Sequence, residues 1–373
     1  MLGSISRSLV KKGHQVHLLY FKPFHPTWEN YPDRENFLKE VPITNVGGNI
    51  QFRFLRAPII ENKGFVNFVN NFKPDIIHSH LFLAELFCRS ALFEDVVYFS
   101  HGHDNMIQLK KFGLKTFLKK ESITNYWERS WLIKKYKTCN NHFIAISKDV
   151  QQYLNENLEG FSSRINYLPN AINTEIFFTN RNYRSIPGKP FHMVSIANLV
   201  QKKNHVFLID VMKYLFDKGY DVTMDVLGAG PLMEMLTNKT KEMNLQDRLF
   251  FRGSVGNIPQ RLWDADLYVH PAKYEPFGLV LLEAMASGLP VVSLDGFGNR
   301  ELIIEGENGF MLDANCSAQD FAEKIILFIK NRELLQRMGT FACAFSKNYD
   351  MDHYTDQLLK LYQQALDEKA TIS

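Results

Sequence analysis

The second half of the chain alternates between two apolar patterns. Short apolar runs bounded by glycine, proline or polar residues are typical of buried strands, and apolar residues repeating at i, i+3 and i+4 are typical of helices. The runs predict strands at 191–198, 221–230, 248–255, 266–272, 290–296 and 309–314. The stretches between them predict helices at 204–219, 231–244 and 257–265. This alternation predicts a doubly wound domain, in which helices cover both faces of a parallel sheet.

The first half repeats the pattern less regularly. Its apolar runs predict strands at 15–21, 50–55, 75–80, 96–101, 142–147 and 164–169. A polar segment with two prolines and a glycine, residues 180–190, is typical of a linker. We therefore predict an α/β fold of two Rossmann-like domains, which are residues 1–183 with an amphipathic C-terminal helix at 350–373, and residues 187–345.

Composition narrows the class of protein. The 373 residues exceed what one hydrophobic core usually serves, which agrees with two domains. A hydrophobic content of 45%, a charged content of 22% and a net charge of +3 are ordinary for a globular protein and indicate no polyelectrolyte partner. The four cysteines are scattered, and we find neither an apolar run of about 18 residues nor a signal-peptide pattern. We expect a cytoplasmic protein with reduced cysteines.

Candidate ligand-binding loops follow the predicted strands of the second domain, because ligands of open α/β sheets bind at the carboxyl ends of strands. One loop carries Lys202 and Lys203, the next is the glycine turn 228–231, and another leads into a helix that starts near Phe277. A helix start offers free N–H groups and a positive dipole end, and a lysine adds a positive charge. Together these groups predict a site for a nucleotide diphosphate.

Two glutamates lie on either side of this helix start. Glu275 precedes the helix, and Glu283 lies about a turn and a half inside it. A carboxylate accepts hydrogen bonds from two hydroxyl groups, which suits a sugar or a ribose. The alternative is that Glu283 is an exposed helix carboxylate and Glu275 a loop charge, and spacing alone does not separate the two interpretations.

The segment EPFGLVLLEAMASGLPVV, residues 275–292, resembles the E-x7-E segment of retaining nucleotide-sugar glycosyltransferases of family four, which have the GT-B fold. Four further motifs resemble that family in the same order along the chain, namely KKGHQVHLLY, KPDIIHSH, INYLPNAINTEIF and ANLVQKKN. The ordered set covers nearly the whole chain and is far more specific than any single motif. The resemblance implies two Rossmann-like domains that face each other across a cleft.

The resemblance also implies a role for each matching residue. Glu275 matches the glutamate that contacts the transferred sugar, Lys203 the lysine that binds the donor diphosphate, and His101 a histidine near the donor sugar. Of the donor contacts, Glu283 would hold the ribose. The residues that match donor-binding positions are Asn198, Gly228, Gly230, Ser254, Val255, Phe277, Gly278, Leu279 and Glu283.

The implied reaction is a hexosyl transfer that retains the anomeric configuration. The donor would be a nucleotide-diphosphate sugar acting as co-substrate, and the acceptor a glycan or a lipid-linked molecule in the synthesis of surface polysaccharide or glycoconjugate. Family members generally need no metal, so we expect neither metal nor cofactor. The usual proposal is front-face transfer, in which the leaving diphosphate helps to deprotonate the acceptor and the protein stabilises the departing charge.

Two departures from the family pattern support an alternative function. The arginine of the family's G-R-L motif is Asn198 here, and asparagine lacks the permanent charge and forked donors of arginine. The resemblance begins inside the family's first helix, so we expect unpaired strand edges in the first domain. The alternative is a catalytically weak or inactive GT-B remnant that binds a nucleotide or a protein partner.

Four histidines raise a third interpretation. His78 and His80 share one face of a predicted strand, and His101 and His103 follow on the next strand. Such a set could hold the metal of a metallohydrolase. The glycosyltransferase interpretation explains the same residues as polar lining without a metal, and we favour it.

The segment 109–137 carries nine Lys or Arg residues against two Glu, with aromatic residues interleaved. It favours either an anionic membrane surface, which would place the protein on the inner face of the membrane, or solvated helices with a basic face. We expect no nucleic acid, because no nucleic-acid-binding motif accompanies the charge. Neither GSVGNIPQ nor LGAG supplies a dinucleotide fingerprint, so an oxidoreductase is not expected.

Overall fold

The protein is described here by a computed structural model covering residues 1–22, 34–53, 56–111, 120–180 and 189–372. Most of the predicted linker, and residues 112–119 of the basic segment, lie outside the described residues. The chain forms two compact units, which are Met1–Pro169 with Asp352–Ser373, and Asn170–Met351.

The boundary between the units differs from the predicted one. The sequence places residues 170–183 in the first domain, whereas the structure joins 170–180 to the second unit. The reason is a pair of backbone hydrogen bonds within that unit. The amide of Ile172 donates to the carbonyl of Tyr349 at 3.0 Å, and the amide of Met351 donates to the carbonyl of Ile172 at 2.9 Å.

Before residue 170, the described residues of the first unit form six α-helices and eight strands. The helices are α1 (Leu2–Lys11), α2 (Arg34–Glu40), α3 (Lys63–Phe72), α4 (Phe82–Cys88), α5 (Lys120–Thr138) and α6 (Lys148–Asn157). The strands are β1 (Leu18–Tyr20), β2 (Ile43–Asn45), β3 (Asn49–Arg53), β4 (Arg56–Glu61), β5 (Ile76–His80), β6 (Val97–Gly102), β7 (His142–Ala145) and β8 (Ile165–Tyr167).

Most strands of the first unit are parallel. Strands β5, β6, β7 and β8 form a four-stranded parallel sheet in that order, and β1 pairs with β2 in a separate parallel ladder. The strands predicted at 15–21, 75–80, 142–147 and 164–169 are confirmed with shorter bounds, and the strand predicted at 96–101 is confirmed with a shift of one residue. Within the described ranges, β1, β2, β5 and β8 each pair on one side only.

The hairpin of β3 and β4 departs from the prediction. The strand predicted at 50–55 exists as β3, but it pairs antiparallel with β4, which the sequence does not predict. Strand β4 carries Pro58 as its one buried residue, and proline is depleted from strands, so its pattern gives no strand signal.

The second unit alternates strands and helices throughout. Its strands are β9 (Phe191–Ile196), β10 (Val222–Leu227), β11 (Leu249–Gly253), β12 (Leu267–His270), β13 (Val291–Leu294) and β14 (Gly309–Leu312). Its helices are α7 (Thr174–Phe177), α8 (His205–Asp217), α9 (Met233–Glu242), α10 (Ile258–Asp264), α11 (Leu279–Ala286), α12 (Ala318–Lys330) and α13 (Arg332–Ser346). The last helix, α14 (Met351–Ile372), belongs almost entirely to the first unit.

The six strands that the structure describes in the second unit pair in parallel in the order β11-β10-β9-β12-β13-β14. Renumbered along the chain this is 3-2-1-4-5-6, the order of a Rossmann fold, so the predicted doubly wound sheet is confirmed. Its core is built where α8 and α12 cover one face, with Leu208 and Phe321 fully buried. The sheet order reverses between β9 and β12, and ligands of such folds bind outside the carboxyl ends of strands at that point.

Candidate active site

The loops after β9, β10, β11 and β12 meet at the carboxyl edge of the second sheet. The amide of Leu199 donates to the carbonyl of Ala229 at 3.0 Å, which joins the first two loops. The amide of Gly228 donates to the carbonyl of Gly253 at 2.8 Å, which joins the second and third. All predicted donor-binding residues lie on these four loops or on α11.

The glycine turn after β10 needs its glycines for close backbone approach. A Cβ atom at Gly228 would lie 2.0 Å from the carbonyl oxygen of Ala197, and Gly228 has a φ of +141°. A Cβ atom at Gly230 would lie 2.5 Å from the carbonyl oxygen of Leu199. Both distances are far below van der Waals contact, so only glycine lets this turn lie against the loop after β9.

Lys203 and Glu275 form an ion pair at the centre of the site. The Nζ atom of Lys203 lies 2.6 Å from Oε2 of Glu275, and their side chains are 16% and 11% exposed. The ring nitrogen Nε2 of His270, at the end of β12, lies 3.1 Å from the same oxygen. Burial alone would raise the pKa of Glu275, but His270 and Lys203 outweigh it and lower that pKa to about 2. Glu275 is therefore an anion at any physiological pH.

A buried tyrosine contacts the other ring nitrogen of His270. The hydroxyl of Tyr268 lies 3.4 Å from Nδ1 of His270 and 3.3 Å from the carbonyl oxygen of Ile196. An ionised carboxylate only accepts hydrogen bonds, so Nε2 of His270 carries the proton of this contact. Tyr268 and His270 are both fully buried, which fixes the ring where it meets Glu275.

The loop that carries Glu275 is held by the turn after β13. The amide of Glu275 donates to the carbonyl of Gly296 at 2.9 Å, and the amide of Gly298 donates to the carbonyl of Glu275 at 3.0 Å. A Cβ atom at Gly298 would lie 1.9 Å from the carbonyl oxygen of Pro276. The buried Asn299 shapes this turn, because its side chain accepts from the amide of Gly296 and donates to β13.

The start of α11 follows directly. Gly278 is the N-cap with a φ of +106°, a conformation that suits glycine, and Leu279 is the first helical residue. The ring of Phe277 is buried 5.9 Å from the ring of Tyr349, so this residue faces the site with its backbone only. The first N–H groups of a helix lack internal acceptors, so this end of α11 can receive negative charge.

Glu283 lies in α11 with its side chain half-buried. Burial raises the pKa of its carboxyl to about 7. Within the described part of the chain, we find no hydrogen-bond partner for this carboxyl. The carboxyl is thus held partly out of water, where its ionised form is disfavoured.

Three predicted donor contacts are more open. Asn198 and Ser254 are exposed at the ends of β9 and β11, and Val255 is half-buried. Lys202 is also exposed, with Nζ 5.7 Å from the centre of the Tyr274 ring. The structure thus brings Lys203, rather than Lys202, to the carboxylate.

His101 lies on β6 of the first unit, among three other histidines. Its Nδ1 lies 3.2 Å from Nε2 of His78, whose Nδ1 lies 2.6 Å from the hydroxyl of Tyr362 on α14. His80 and His103 form a second pair, with Nδ1 and Nε2 2.7 Å apart. Burial lowers the pKa of His78 to about 3 and of His103 to about 4, so these rings are neutral at pH 7.

The geometry of these histidines bears on the metal alternative. Nitrogens of His78, His80 and His101 lie within 4.8 Å of one another. The rings, however, are stacked, with interplanar angles of 14° between His78 and His101 and 25° between His80 and His101. Nitrogen lone pairs lie in the ring plane, so nearly parallel rings direct them alongside one another rather than toward one point. This arrangement forms a polar aromatic surface better than a tetrahedral metal site.

A buried ionic network on the other face of the same strands fixes these histidines. Arg89 and Glu85 are fully buried, and Arg89 donates to Ser79 Oγ at 2.8 Å and to Ser100 Oγ at 3.0 Å. Glu85 accepts from both serines, at 2.7 Å and 2.6 Å. Ser79 lies between His78 and His80, so the network holds the strand segments that carry the histidine rings. Neither Arg89 nor Glu85 has a sequence signal beyond its charge.

The described part of the basic segment is mostly α5. This helix exposes Tyr126, Trp127, Lys134 and Lys137, while Leu132 is buried. It packs on the segment after β6, where Arg129 donates to the carbonyl of Leu109 at 3.0 Å. In the described parts of the chain no helix combines the length and apolar character that crossing a bilayer requires.

Sequence reasoning missed His270, Tyr268, Asn299 and Arg89. His270 had a weak signal, since it lies near the end of a predicted strand, five residues before Glu275. The others become visible only through their contacts in the folded chain. No contact described here tests whether the predicted residues bind a donor, so those roles stay predictions.

Comparison with known proteins identifies the family. A sequence model described as Glycosyltransferase Family 4 matches residues 2–176, and one described as Glycosyl transferases group 1 matches residues 177–344. An uncharacterized glycosyltransferase of Methanocaldococcus jannaschii is 27% identical over 343 residues, which are 91% of this chain and 89% of that protein. The UDP-Gal:alpha-D-GlcNAc-diphosphoundecaprenol alpha-1,3-galactosyltransferase of Escherichia coli is 26% identical over 257 residues, which are 65% of this chain and 63% of that protein.

Solved structures share the fold. The crystal structure of Anabaena HepE in complex with UDP and glucose has a TM-score of 0.74 at 19% identity, over 96% of this chain and 94% of that chain. The two sequence models together cover both units, and the fold and the ordered motifs agree with them. The chain therefore belongs to the family-four glycosyltransferases of the GT-B type.

Proposed function

We propose that this protein transfers a hexose from a UDP-sugar to a glycan or lipid-linked acceptor, with retention of the anomeric configuration. The observation that carries the proposal is the arrangement of charges at the carboxyl edge of the second sheet. A lysine and a helix start suited to a diphosphate lie beside an ionised, largely buried Glu275 and the unpartnered carboxyl of Glu283. UDP as the nucleotide is supported by the names of the E. coli and Anabaena proteins.

The proposed roles follow from the chemistry of each group. Lys203 and the N–H groups at the start of α11 stabilise the negative charge that grows on the departing diphosphate. Glu275 accepts hydrogen bonds from hydroxyl groups of the transferred sugar, and Glu283 accepts from the ribose. With no arginine at position 198, Lys203 carries the positive charge of this cluster on the diphosphate.

The first unit supports the proposed acceptor and location. The half-buried His78, His80 and His103 supply ring nitrogens that can form hydrogen bonds with a sugar. The exposed aromatic and basic residues of α5 fit the interface of an anionic membrane, where a lipid-linked acceptor would be held. The E. coli relative's name includes a diphosphoundecaprenol-linked sugar as acceptor, which supports the lipid-linked class.

The experiment is a donor-turnover assay with a panel of UDP-sugars. The wild-type protein, Lys203→Ala and Glu275→Ala are compared for release of UDP and transfer of sugar, with Lys241→Ala and Glu242→Ala as controls on the exposed end of α9. We expect both site variants to lose at least about 100-fold in rate, because each removes a charged contact made in the transition state. Undiminished turnover in the site variants would refute the assignment.

The alternative, a remnant that binds a nucleotide without turnover, predicts a different outcome of the same assay. It is motivated by Asn198 in place of the family's arginine. A remnant would bind UDP with Lys203-dependent affinity and release no UDP from any donor in the panel. Detectable sugar transfer that is lost in Glu275→Ala excludes it.

A further inference from the structure

The two partners of Glu275 converge on one oxygen atom. Both Nζ of Lys203 and Nε2 of His270 lie within hydrogen-bond distance of Oε2, at 2.6 Å and 3.1 Å. For Oε1 we find no hydrogen bond within the described residues. The protein thus holds the carboxylate through one oxygen and leaves the other for a ligand.

The two partners differ in their freedom to move. Lys203 ends a short 3-10 helix in the loop after β9, and its flexible side chain is 16% exposed. His270 ends β12 and is fully buried, and its Nδ1 contacts the hydroxyl of Tyr268. Rotation of the Lys203 side chain breaks its contact with Glu275 but leaves the backbone in place, whereas His270 cannot leave without disturbing the sheet.

A diphosphate next to this site competes for Lys203. It carries more negative charge than a single carboxylate, and it binds at the helix start that follows Glu275 by only a few residues. Once the Lys203 side chain turns toward phosphate, Glu275 loses the shorter of its two contacts. It does so when the donor is bound and Glu275 must face the sugar. Among the residues that the structure describes, His270 is then the side chain that still contacts Oε2.

We propose that His270 is a positioning residue that retains Glu275 when the donor diphosphate draws Lys203 away. The ligand-free site is then a closed ion pair, and donor binding exchanges the partner of Lys203 from carboxylate to phosphate. This inference rests on the proposed function, because it assumes a nucleotide diphosphate in the site. Beyond the proposed function, it states that Lys203 changes its partner from Glu275 to phosphate, and that His270 keeps Glu275 in place during this change.

The first test is the structure of the protein with UDP bound. The inference expects Nζ of Lys203 on a phosphate oxygen, and Nε2 of His270 still on Glu275. A UDP complex in which Lys203 stays on Glu275, or in which His270 has lost it, overturns the inference and leaves the proposed function standing. If UDP does not bind, the proposed function fails, and the inference fails with it.

The second test separates positioning from folding by kinetics. His270→Gln keeps an N–H donor close to the position of Nε2, and His270→Leu removes it at similar volume. We expect His270→Leu to lower kcat by roughly 100-fold, because a displaced catalytic group costs about that much, while the affinity for UDP stays within about twofold. We expect His270→Gln to recover most of the loss. Equal kcat in wild type and His270→Leu, or equal losses in both variants, refutes the inference.

Discussion

The ammonium group of Lys203 lies 2.6 Å from a carboxylate oxygen of Glu275, although the two residues are 72 positions apart in the chain. The contact joins the loop after β9 to the loop after β12, the two strands between which the sheet order reverses. The ion pair therefore stabilises the fold of the site. Before a donor binds, the two charges of the pair also neutralise each other.

We expect this ion pair to make the free energy of unfolding fall at acid pH. The pKa of Glu275 is lowered to about 2, so the ionised form contributes up to about 3 kcal/mol to the free energy of unfolding at pH 7. The contribution is complete above the ordinary glutamate range and is lost as pH falls through 2. In urea unfolding, Glu275→Gln should therefore be less stable at pH 7, and about half of the difference should be gone at pH 3. A difference that does not depend on pH would contradict the ionised pair, and Glu242→Gln is the exposed control.

The pH dependence of stability that Glu283 contributes should have the opposite sign to that of Glu275. Burial raises its pKa to about 7, so the folded protein loses stability as pH rises from the unfolded value toward 7. Because the side chain is partly exposed, we expect Glu283→Gln to raise the free energy of unfolding by only about 2 kcal/mol at pH 8. The gain should be small at pH 4.5. The same variant should bind UDP about tenfold more weakly, since one contact to the ribose is weakened.

A variant that is more stable at pH 8 and binds UDP as well as wild type would show that Glu283 is strained for another reason. A variant that is less stable at both pH values would show that the carboxyl has a partner in the folded protein. Both measurements use the same purified protein and need no knowledge of the donor sugar.

The glycine turn should tolerate no side chain. Gly228→Ala sets a Cβ atom 2.0 Å from a backbone oxygen at a φ of +141°, so we expect a loss of more than about 3 kcal/mol in the free energy of unfolding. Gly256→Ala is the matched control, because nothing lies within 4 Å of its Cβ position in the neighbouring loop. We expect that control to stay within about 0.5 kcal/mol of wild type in thermal or urea unfolding. Equal losses in the two variants would show that the turn is not sterically closed.

The membrane proposal has a direct test in vesicle sedimentation. We expect the protein to bind vesicles of phosphatidylcholine and phosphatidylglycerol, and not vesicles of phosphatidylcholine alone. Lys134→Glu/Lys137→Glu on α5 should weaken binding at least about tenfold, because each lysine near an anionic surface contributes about 1 kcal/mol. The control Lys218→Glu/Lys241→Glu changes the net charge equally on the second unit. Equal weakening by both pairs would indicate attraction by net charge and not by α5.

The sequence predicted the second unit well for a physical reason. Strands β9, β10, β12 and β13 are almost entirely buried, so each reads as a mainly apolar run between polar loops. Strand β4 gave no such signal, since Pro58 is its one buried residue. The unit boundary was misjudged because the polar composition of 180–190 suggested a linker, whereas the backbone contacts of Ile172 decide where the chain belongs.

The sequence predicted which residues belong to the candidate site, but it did not predict which of them contact one another. The carboxylates, the lysine and the glycines fall on family motifs that are continuous in sequence. The pairing of Lys203 with Glu275, and the support of His270 by Tyr268, depend on neighbouring strands of the sheet. Spacing along the chain carries no information on such pairs, and only the three-dimensional arrangement supplies it.

The binding of UDP to the ligand-free protein, measured by isothermal titration calorimetry, tests the central claim most directly. The account predicts that wild type binds UDP, that Lys203→Ala raises the Kd by roughly 10- to 100-fold through loss of a charge-assisted contact, and that Lys241→Ala leaves it unchanged. Absence of UDP binding by wild type, or equal affinity in wild type and Lys203→Ala, would contradict a nucleotide diphosphate site at the carboxyl ends of β9 and β12.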